Sequence, residues 1–441
     1  MNRYIGEQKL IDEAKTGFPK GVKKITDRVY FIQGYGASQA IMVEGRESLL
    51  MIDTLYGREF AEEALKDIRE ITDKPIKNII FTHYLHYDHI SGAAVFANEG
   101  CEIIARKPSY PQYTRSELIK DIAAVRGARQ FGAGLNPDES ISLGIGPVSN
   151  LHSTIAALKP TRMFSEKTLK LDIDGIEVLL VEAPGETDDQ LFAWLPQFEV
   201  LCCGDNYYNS WPNLYAIRGG QYRDISQWIN ILDTMINYEA EHLLPGHTKS
   251  ISGKDNVREK LTSYRDAIKY VLEETLHGMN KGLTIDQLVD SVKLPSIWAA
   301  LPNLQEYYGT VEWTVRSIYT GYLGWFDGNP TKLGCQPVKV KAEKNLSLMG
   351  GPERVYKKAK DAIENQDEQW GIELCDILLD AGQMSDEAKK LKAEGLIHLG
   401  RMHASANARH YYLSCAKEML GLSGPVSLIG AAMDMEKKKE D

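Results

Sequence analysis

Short apolar runs alternate with amphipathic stretches through the first half of the chain. Residues 28–33, 39–44 and 48–52 are β-rich runs punctuated by glycines, and residues 77–81 and 102–105 form two more. Between these runs, residues 60–71 carry apolar side chains at three- and four-residue steps, which predicts a helix, and another helix is expected from about Ser91. This alternation predicts an α/β fold built around layered sheet.

Four apolar runs in this half stop abruptly on a residue that can bind a metal. They precede His83, Glu186, Asp205 and His247. Apolar runs of this length are typical of buried strands, so the residue just beyond each run lies at a sheet edge. In layered α/β folds, functional sites gather at such strand ends. The pattern therefore predicts that the four residues share one site.

Beyond about residue 255 the pattern becomes helical. Helices are predicted at residues 257–277, 284–292, 314–322, 352–364, 368–381, 385–399 and 404–420, whereas residues 336–346 are interpreted as a polar, extended connection. We therefore expect three parts: residues 1–255 as the catalytic domain, residues 256–334 as a helical extension packed on it, and residues 335–441 as a helical, tetratricopeptide-like module with a charged tail.

Composition excludes several classes of protein. The 441 residues include 51 Lys and Arg against 61 Asp and Glu, a formal charge of −10, which disfavours general nucleic-acid binding. No apolar run approaches the length of a membrane span, and the polar start of the chain does not resemble a secretory signal. The six cysteines are scattered, as in reducing compartments. We expect a cytoplasmic protein that binds neither nucleic acid nor membranes.

The strongest chemical signal is a cluster just after one strand, in which His83, His86, Asp88 and His89 lie within seven residues. Several buried imidazoles without partners would be costly, so a bound metal explains the cluster better than a packed or solvated loop. Imidazole nitrogen and carboxylate oxygen are ligands that zinc prefers. The cluster therefore predicts a metal site.

The segment ending Asp88-His89 resembles the H-x-H-x-D-H signature of the metallo-β-lactamase superfamily. Three segments narrow the resemblance to its alkylsulfatase branch: Pro184-Gly185-Glu186, Gly204-Asp205-Asn206, and Asn213-Leu-Tyr-Ala-Ile-Arg218-Gly219. The resemblance implies an α/β fold, an αβ/βα metallo-β-lactamase sandwich, followed by an all-helical C-terminal module of alkylsulfatase dimerisation type.

The resemblance also implies a site with two zinc ions. His83 and His86 would hold the first zinc with Glu186 or Asp205; Asp88, His89 and His247 would hold the second, with one acid bridging the pair. Hydrolysis would use a water activated by the metals, and the carboxylates of Asp88 and Glu186 would take its proton. Arg218 would hold the sulfate, with Tyr208 and Asn213 beside the substrate. Asp53 would support a metal-binding histidine from behind.

The chain departs from the superfamily signature at one position. The signature has a histidine two residues before His86, where this chain has Tyr84. Either one residue is inserted and His83 reaches the first metal through a bulged loop, or Tyr84 lines the site and only one zinc binds well. Imidazole is the better ligand at neutral pH, which favours His83.

The predicted activity is metal-dependent hydrolysis of a small anionic ester, above all an alkyl sulfate, by a homodimer paired through the C-terminal helices. Two alternatives remain open. Another hydrolase of the same fold, such as a lactonase, thioesterase or phosphodiesterase, would share the ligands without needing Arg218. A catalytically decayed metal-binding or scaffold protein would bind little metal and hydrolyse no activated ester.

Overall fold

Two β-sheets pack face to face in the first half of the chain. The computed structural model describes residues 3–108, 118–147 and 153–424. Within these ranges, one sheet contains seven strands and the other contains six.

The first sheet keeps its strands in chain order. They are β1 Gly21–Lys24, β2 Val29–Gln33, β3 Ala40–Glu44, β4 Leu49–Ile52, β5 Ile76–Ile80, β6 Glu102–Arg106 and β7 Arg162–Phe164. Neighbours from β1 to β4 are antiparallel, and those from β4 to β7 are parallel. β2 and β4 are buried along their whole length, as expected for strands covered on both faces.

The second sheet has the spatial order β13-β12-β11-β10-β9-β8. Its strands are β8 Thr168–Ile173, β9 Ile176–Glu182, β10 Leu191–Leu195, β11 Val200–Gly204, β12 His242–Pro245 and β13 Ile251–Ser252. β11 and β12 are parallel, and the other neighbours are antiparallel.

Helices cover the sheets and form most of the second half of the described chain. They are α1 Ile5–Gly17, α2 Arg58–Arg69, α3 Tyr87–Ile90, α4 Ala93–Phe96, α5 Lys120–Phe131, α6 Pro137–Ser140, α7 Ile225–Ile236, α8 Lys254–Asn280, α9 Ile285–Ser291, α10 Ser296–Ala299, α11 Val311–Leu323, α12 Val338–Met349, α13 Pro352–Glu364, α14 Glu368–Asp380, α15 Ser385–Met402 and α16 Ala406–Met419. Short 3₁₀ turns lie at Pro196–Phe198, Pro302–Leu304 and Pro330–Gly334. None of the described helices combines the length and the apolar composition needed to cross a bilayer.

The apolar core is layered as the αβ/βα sandwich requires. Phe31 and Ile52 of the first sheet face Leu180 and Leu244 of the second in one continuous buried cluster. The outer face of the first sheet packs against α2 and α4, and that of the second against α7 and α8. This arrangement confirms the predicted fold, because each sheet has one face towards the other sheet and one under helices.

The C-terminal region is helical, and one prediction there is wrong. Residues 336–346 are not extended, because α12 occupies most of that segment. The alternating Val338 and Val340 imitate a strand pattern, but Ala342 and Leu346 pack in the core of the module that includes α14. Gly350, with φ +91°, then ends the helix. Tertiary packing therefore overrides the local pattern. The boundaries at residues 255 and 334 stay predictions.

Candidate metal centre and anion pocket

Strand ends from both sheets meet at one edge of the sandwich. His83 follows β5, Glu186 follows β9, Asp205 follows β11 and His247 follows β12. Glycine makes the close approach possible: a Cβ at Gly246 would lie 2.5 Å from Oδ1 of Asp205. The four predicted strand-end residues therefore lie around one centre.

Six predicted ligands form two compact groups. The first ligand group is His83, His86 and Asp205, and the second is Asp88, His89 and His247; within each, the potential ligand atoms lie within 4.8 Å of one another. In the first group, Nε2 of His83 is 3.0 Å from Nδ1 of His86 and 3.7 Å from Oδ2 of Asp205. Neutral-ring nitrogens and a carboxylate converge there, as in a metal site.

Asp205 of the first ligand group also contacts both histidines of the second. Nε2 of His247 lies 3.4 Å from Oδ2 of Asp88 and 3.3 Å from Oδ2 of Asp205. Nε2 of His89 lies 3.4 Å from Oδ1 of Asp205. Asp205 thus lies between the two ligand groups, in the position that the resemblance predicts for the acid they would share.

Hydrogen bonds behind the rings set their orientation. Nδ1 of His89 lies 2.8 Å from Oδ2 of Asp53, and Nδ1 of His247 lies 2.7 Å from the carbonyl of Ala37. Because a carbonyl only accepts, Nδ1 of His247 carries the hydrogen and Nε2 points at the acids. The Thr82 hydroxyl donates to Asp53 at 2.7 Å and lies 3.3 Å from Nδ1 of His83. Asp53 therefore supports rings in both groups.

The charges of the centre suit a cation. Burial lowers the pKa of His83 well below its usual value and that of His86 to about 3, so both rings are neutral. Burial opposes ionisation of Asp205, but His247 and His89 nevertheless lower its pKa. In return, and against the effect of burial, Asp205 and Asp88 raise the pKa of His89 well above its usual value and that of His247 to about 10. Nε2 of His89 and Oδ1 of Asp205 are buried without a hydrogen-bond partner among the described residues. Orphaned ligand atoms of this kind fit a bound divalent metal, which replaces ring protons when it binds.

The loop that contains the extra residue has a defined support. The N–H groups of Tyr84 and Leu85 lie 2.6 and 3.2 Å from the same carboxylate oxygen of Asp189, and both donate to it. The Tyr84 ring packs beside Phe81, with ring centroids 6.3 Å apart. His83 therefore lies in the first ligand group while Tyr84 turns towards the core, the arrangement expected for an inserted residue.

Glu186 lies beside the centre but in neither ligand group. Its carboxylate accepts a hydrogen bond from the buried guanidinium of Arg223, which also donates to the carbonyl of Asn213. Burial, with a smaller contribution from Asp205, raises the pKa of Glu186 to about 7. The predicted role of Glu186 as a metal ligand stays a prediction.

Arg218 lies near the centre and has one unused donor. Its positive charge adds to the burial that lowers the pKa of His86 and opposes the burial that raises the pKa of Glu186, so it lies within electrostatic reach of both. Its Nη1 is buried without a hydrogen-bond partner in the described chain, as are both polar side-chain atoms of Asn213. The Tyr208 hydroxyl accepts the N–H of Asn213 at 2.7 Å. A planar cation with a free donor is suited to an oxyanion.

Comparison with known proteins places these features in a family. The chain matches the model of the metallo-beta-lactamase superfamily over residues 34–247 and that of alkyl sulfatase dimerisation over residues 284–421. It is 35% identical over 399 residues to a linear primary-alkylsulfatase of Pseudomonas sp., covering 88% of this chain and 75% of that protein.

The chain belongs to the alkylsulfatase family of metallo-β-lactamase-fold hydrolases. An alkyl/aryl-sulfatase of Saccharomyces cerevisiae is 30% identical over 413 residues, 90% of this chain and 64% of that protein. The solved structure of a stereoselective inverting sec-alkylsulfatase of Pseudomonas sp. superposes with a TM-score of 0.87 at 26% identity, covering 94% of this chain and 67% of that one.

Several residues near this alkylsulfatase-family centre are not among those predicted from the sequence. Arg223, which contacts Glu186, and Tyr308 are buried, and Tyr308 packs edge-on to Tyr208 with ring centroids 5.8 Å apart. Asp189, which holds the loop before His86, is also absent from the predicted site residues. An arginine five positions beyond Arg218 and a tyrosine in a loop before α11 carry no local signal. A Gly-Glu-Thr-Asp-Asp run after a strand could have drawn attention to Asp189.

Proposed function

We propose that this chain hydrolyses alkyl sulfate esters. The observation that carries the proposal is the buried Nη1 of Arg218, which has no hydrogen-bond partner among the described residues and belongs to a guanidinium whose charge reaches His86 of the first ligand group. A sulfate ester carries a singly charged oxyanion whose terminal oxygens can accept hydrogen bonds from such donors. The names of the relatives are consistent with this substrate class.

The six residues of the two ligand groups would hold two divalent ions, which we propose are zinc. Bound there, the ions would supply Lewis acidity and lower the pKa of a water molecule. Arg218 and Asn213 bind and orient the sulfate, and the Tyr208 hydroxyl holds the backbone of Asn213 in place. Asp88 and Glu186 remain the proposed proton acceptors.

Kinetics on Arg218 variants test the substrate class. We expect Arg218→Ala to lower kcat/KM for a primary alkyl sulfate such as octyl sulfate by about 10²-fold or more, because a buried ion pair with the substrate is lost. Metal content should not change. The matched control is Arg354→Ala, an exposed position of the helical module.

The same panel separates the alternatives. If a lactone, thioester or phosphodiester is cleaved faster than octyl sulfate and Arg218→Ala leaves all rates intact, another hydrolase activity replaces the proposal. Metal content well below one ion per chain, with no ester hydrolysed, would identify a decayed scaffold instead.

We also propose that the chain forms a homodimer through its C-terminal helices. The dimerisation-family match over residues 284–421 supports this, as do large apolar side chains that remain exposed there, including Trp325 and Leu348. Light scattering after size exclusion should give twice the 49.5 kDa chain mass. A monomer at micromolar concentration would contradict the proposal.

We further propose that the protein works in the cytoplasm. All six cysteines are free, and Cys335 is exposed. Free, exposed thiols persist in reducing compartments. Fractionation of the source cells tests the location, and recovery of the protein outside the cytoplasmic fraction would contradict it.

A further inference from the structure

One helix holds the segment that carries Arg218. The backbone N–H of Arg218 donates to Oε1 of Gln130 at 3.0 Å, and Arg126 donates to the carbonyl of Ile217. The Arg218 guanidinium carbon lies 5.5 Å from the ring centroid of Phe131. Helix α5 therefore contacts both polar groups of the Ile217–Arg218 peptide, its carbonyl and its N–H, as well as the Arg218 guanidinium.

Gln130 is an unusual choice for its position. The residue is fully buried, and its Nε2 has no hydrogen-bond partner among the described residues. An orphaned amide donor costs free energy that an apolar side chain of similar size would avoid. What an apolar side chain could not provide is the acceptor oxygen that faces the Arg218 N–H. The polar side chain is therefore explained by that one hydrogen bond.

The same helix is attached to the C-terminal helical module. A ring nitrogen of His410, on α16, lies 3.1 Å from the carbonyl of Gln130, and its other nitrogen lies 3.0 Å from the carbonyl of Ser140. Arg129 donates to both carboxylate oxygens of Glu418 at 3.0 and 2.7 Å. Gln130 thus contacts the module through its backbone and Arg218 through its side chain.

We infer that Gln130 is a positioning residue for Arg218, and that α16 of the helical module fixes the anion-binding guanidinium through it. The inference rests on the proposed function, because the anion-binding role of Arg218 does. Among the described residues, no hydrogen bond along this path involves a member of either ligand group. Its loss should weaken sulfate binding and leave the metal content unchanged.

A double-mutant cycle between Gln130→Met and Arg218→Ala tests the inference in the full-length protein. Gln130→Met keeps the side-chain length and removes the acceptor. We expect it to raise KM for octyl sulfate and Ki for inorganic sulfate by about 3- to 10-fold, the range of one hydrogen bond, with kcat within about twofold. In the Arg218→Ala background the same substitution should change Ki by less than about twofold.

Two variants control for simple loss of packing. Gln130→Glu retains an acceptor oxygen, so Ki should stay within about threefold of the parent chain. Arg129→Met removes the contacts of Arg129 to Glu418 and Tyr411, both on α16, and so tests the contribution of the module even if Gln130→Met does not fold; Ki should rise by about twofold. Bound metal, measured by mass spectrometry, should be unchanged in every variant.

The outcomes separate two failures. If Arg218→Ala alone leaves KM and Ki unchanged, the proposed function is wrong. If Arg218→Ala raises both but Gln130→Met does not, or if the two effects simply add, Gln130 is not a positioning residue for Arg218. An unchanged Ki in Arg129→Met would remove the helical module from the inference.

Discussion

The two ligand groups differ in how the chain holds them. In the second group, His89 and His247 are each oriented by a direct hydrogen bond from behind, to Asp53 and to the carbonyl of Ala37. In the first group, His83 is oriented through the Thr82 hydroxyl, and the half-buried His86 comes directly after the loop residues Tyr84 and Leu85. The second group is therefore built on more rigid supports than the first.

The difference shows how an insertion beside a metal site can be tolerated. If one residue is inserted before His86, as predicted, the loop needs support, and Asp189 accepts hydrogen bonds from the N–H groups of both Tyr84 and Leu85. Without that carboxylate, the loop would lose both hydrogen bonds close to the centre. We expect metal affinity in the first group to depend on this support, and affinity in the second to be independent of it.

The largest effect is expected where the two groups meet. Asp205→Asn should reduce bound metal to less than one ion per chain and lower alkyl sulfate hydrolysis by more than about 10²-fold. Loss of a residue that only hydrogen-bonds a metal ligand already lowers metal affinity or activity by about 10- to 100-fold. Plasma mass spectrometry and steady-state kinetics measure both. The exposed Asp290→Asn is the control. Two ions retained in Asp205→Asn would show that Asp205 does not join the groups.

His83→Ala should break the first group alone. We expect bound metal to fall from two ions to about one, with the remaining ion in the second group and hydrolysis lowered by more than tenfold. Tyr84→Phe is the matched control, because it keeps the ring beside Phe81. The reverse result, with metal lost from Tyr84→Phe and retained in His83→Ala, would favour the tyrosine-lined site.

Asp189→Ala should weaken the first group without emptying it. Because the carboxylate acts through the loop, we expect about a tenfold loss of affinity for one ion, while the other binds as before. Titration against a chelating dye resolves the two affinities. Asp189→Asn keeps an acceptor oxygen and should restore most of the loss. Equal weakening of both ions would mean that Asp189 supports the whole centre.

The smallest effect is a difference between the groups in the unaltered protein. Stepwise chelation with dipicolinate should remove the ion of the first group before that of the second, with affinities that differ by about tenfold or less. Native mass spectrometry follows the species with one ion. The His83→Ala variant assigns the ion that is released first, because it should lack that first release step. Release of both ions in a single step would remove the distinction between the groups.

Much of this protein is determined by local pattern. Apolar runs that end on polar residues predicted strands β5, β9, β11 and β12, and parallel or layered strand ends necessarily bring those residues to a shared edge. The ligand chemistry of His83, His86, Asp88 and His89 is likewise evident from their crowding within seven residues. Both signals are short in range, so they need no tertiary information.

Tertiary structure decided what local pattern left open. His83, and not Tyr84, lies in the first ligand group, and the loop between them and His86 is held by Asp189, which is 105 residues away from Tyr84 along the chain. Residues 338–349 are helical because Ala342 and Leu346 have an apolar neighbour to pack against. Gln130 has a role only because α5 lies between Arg218 and α16. Each of these contacts joins distant segments, and a hydrogen bond or a packed face has no signature until both partners are in place.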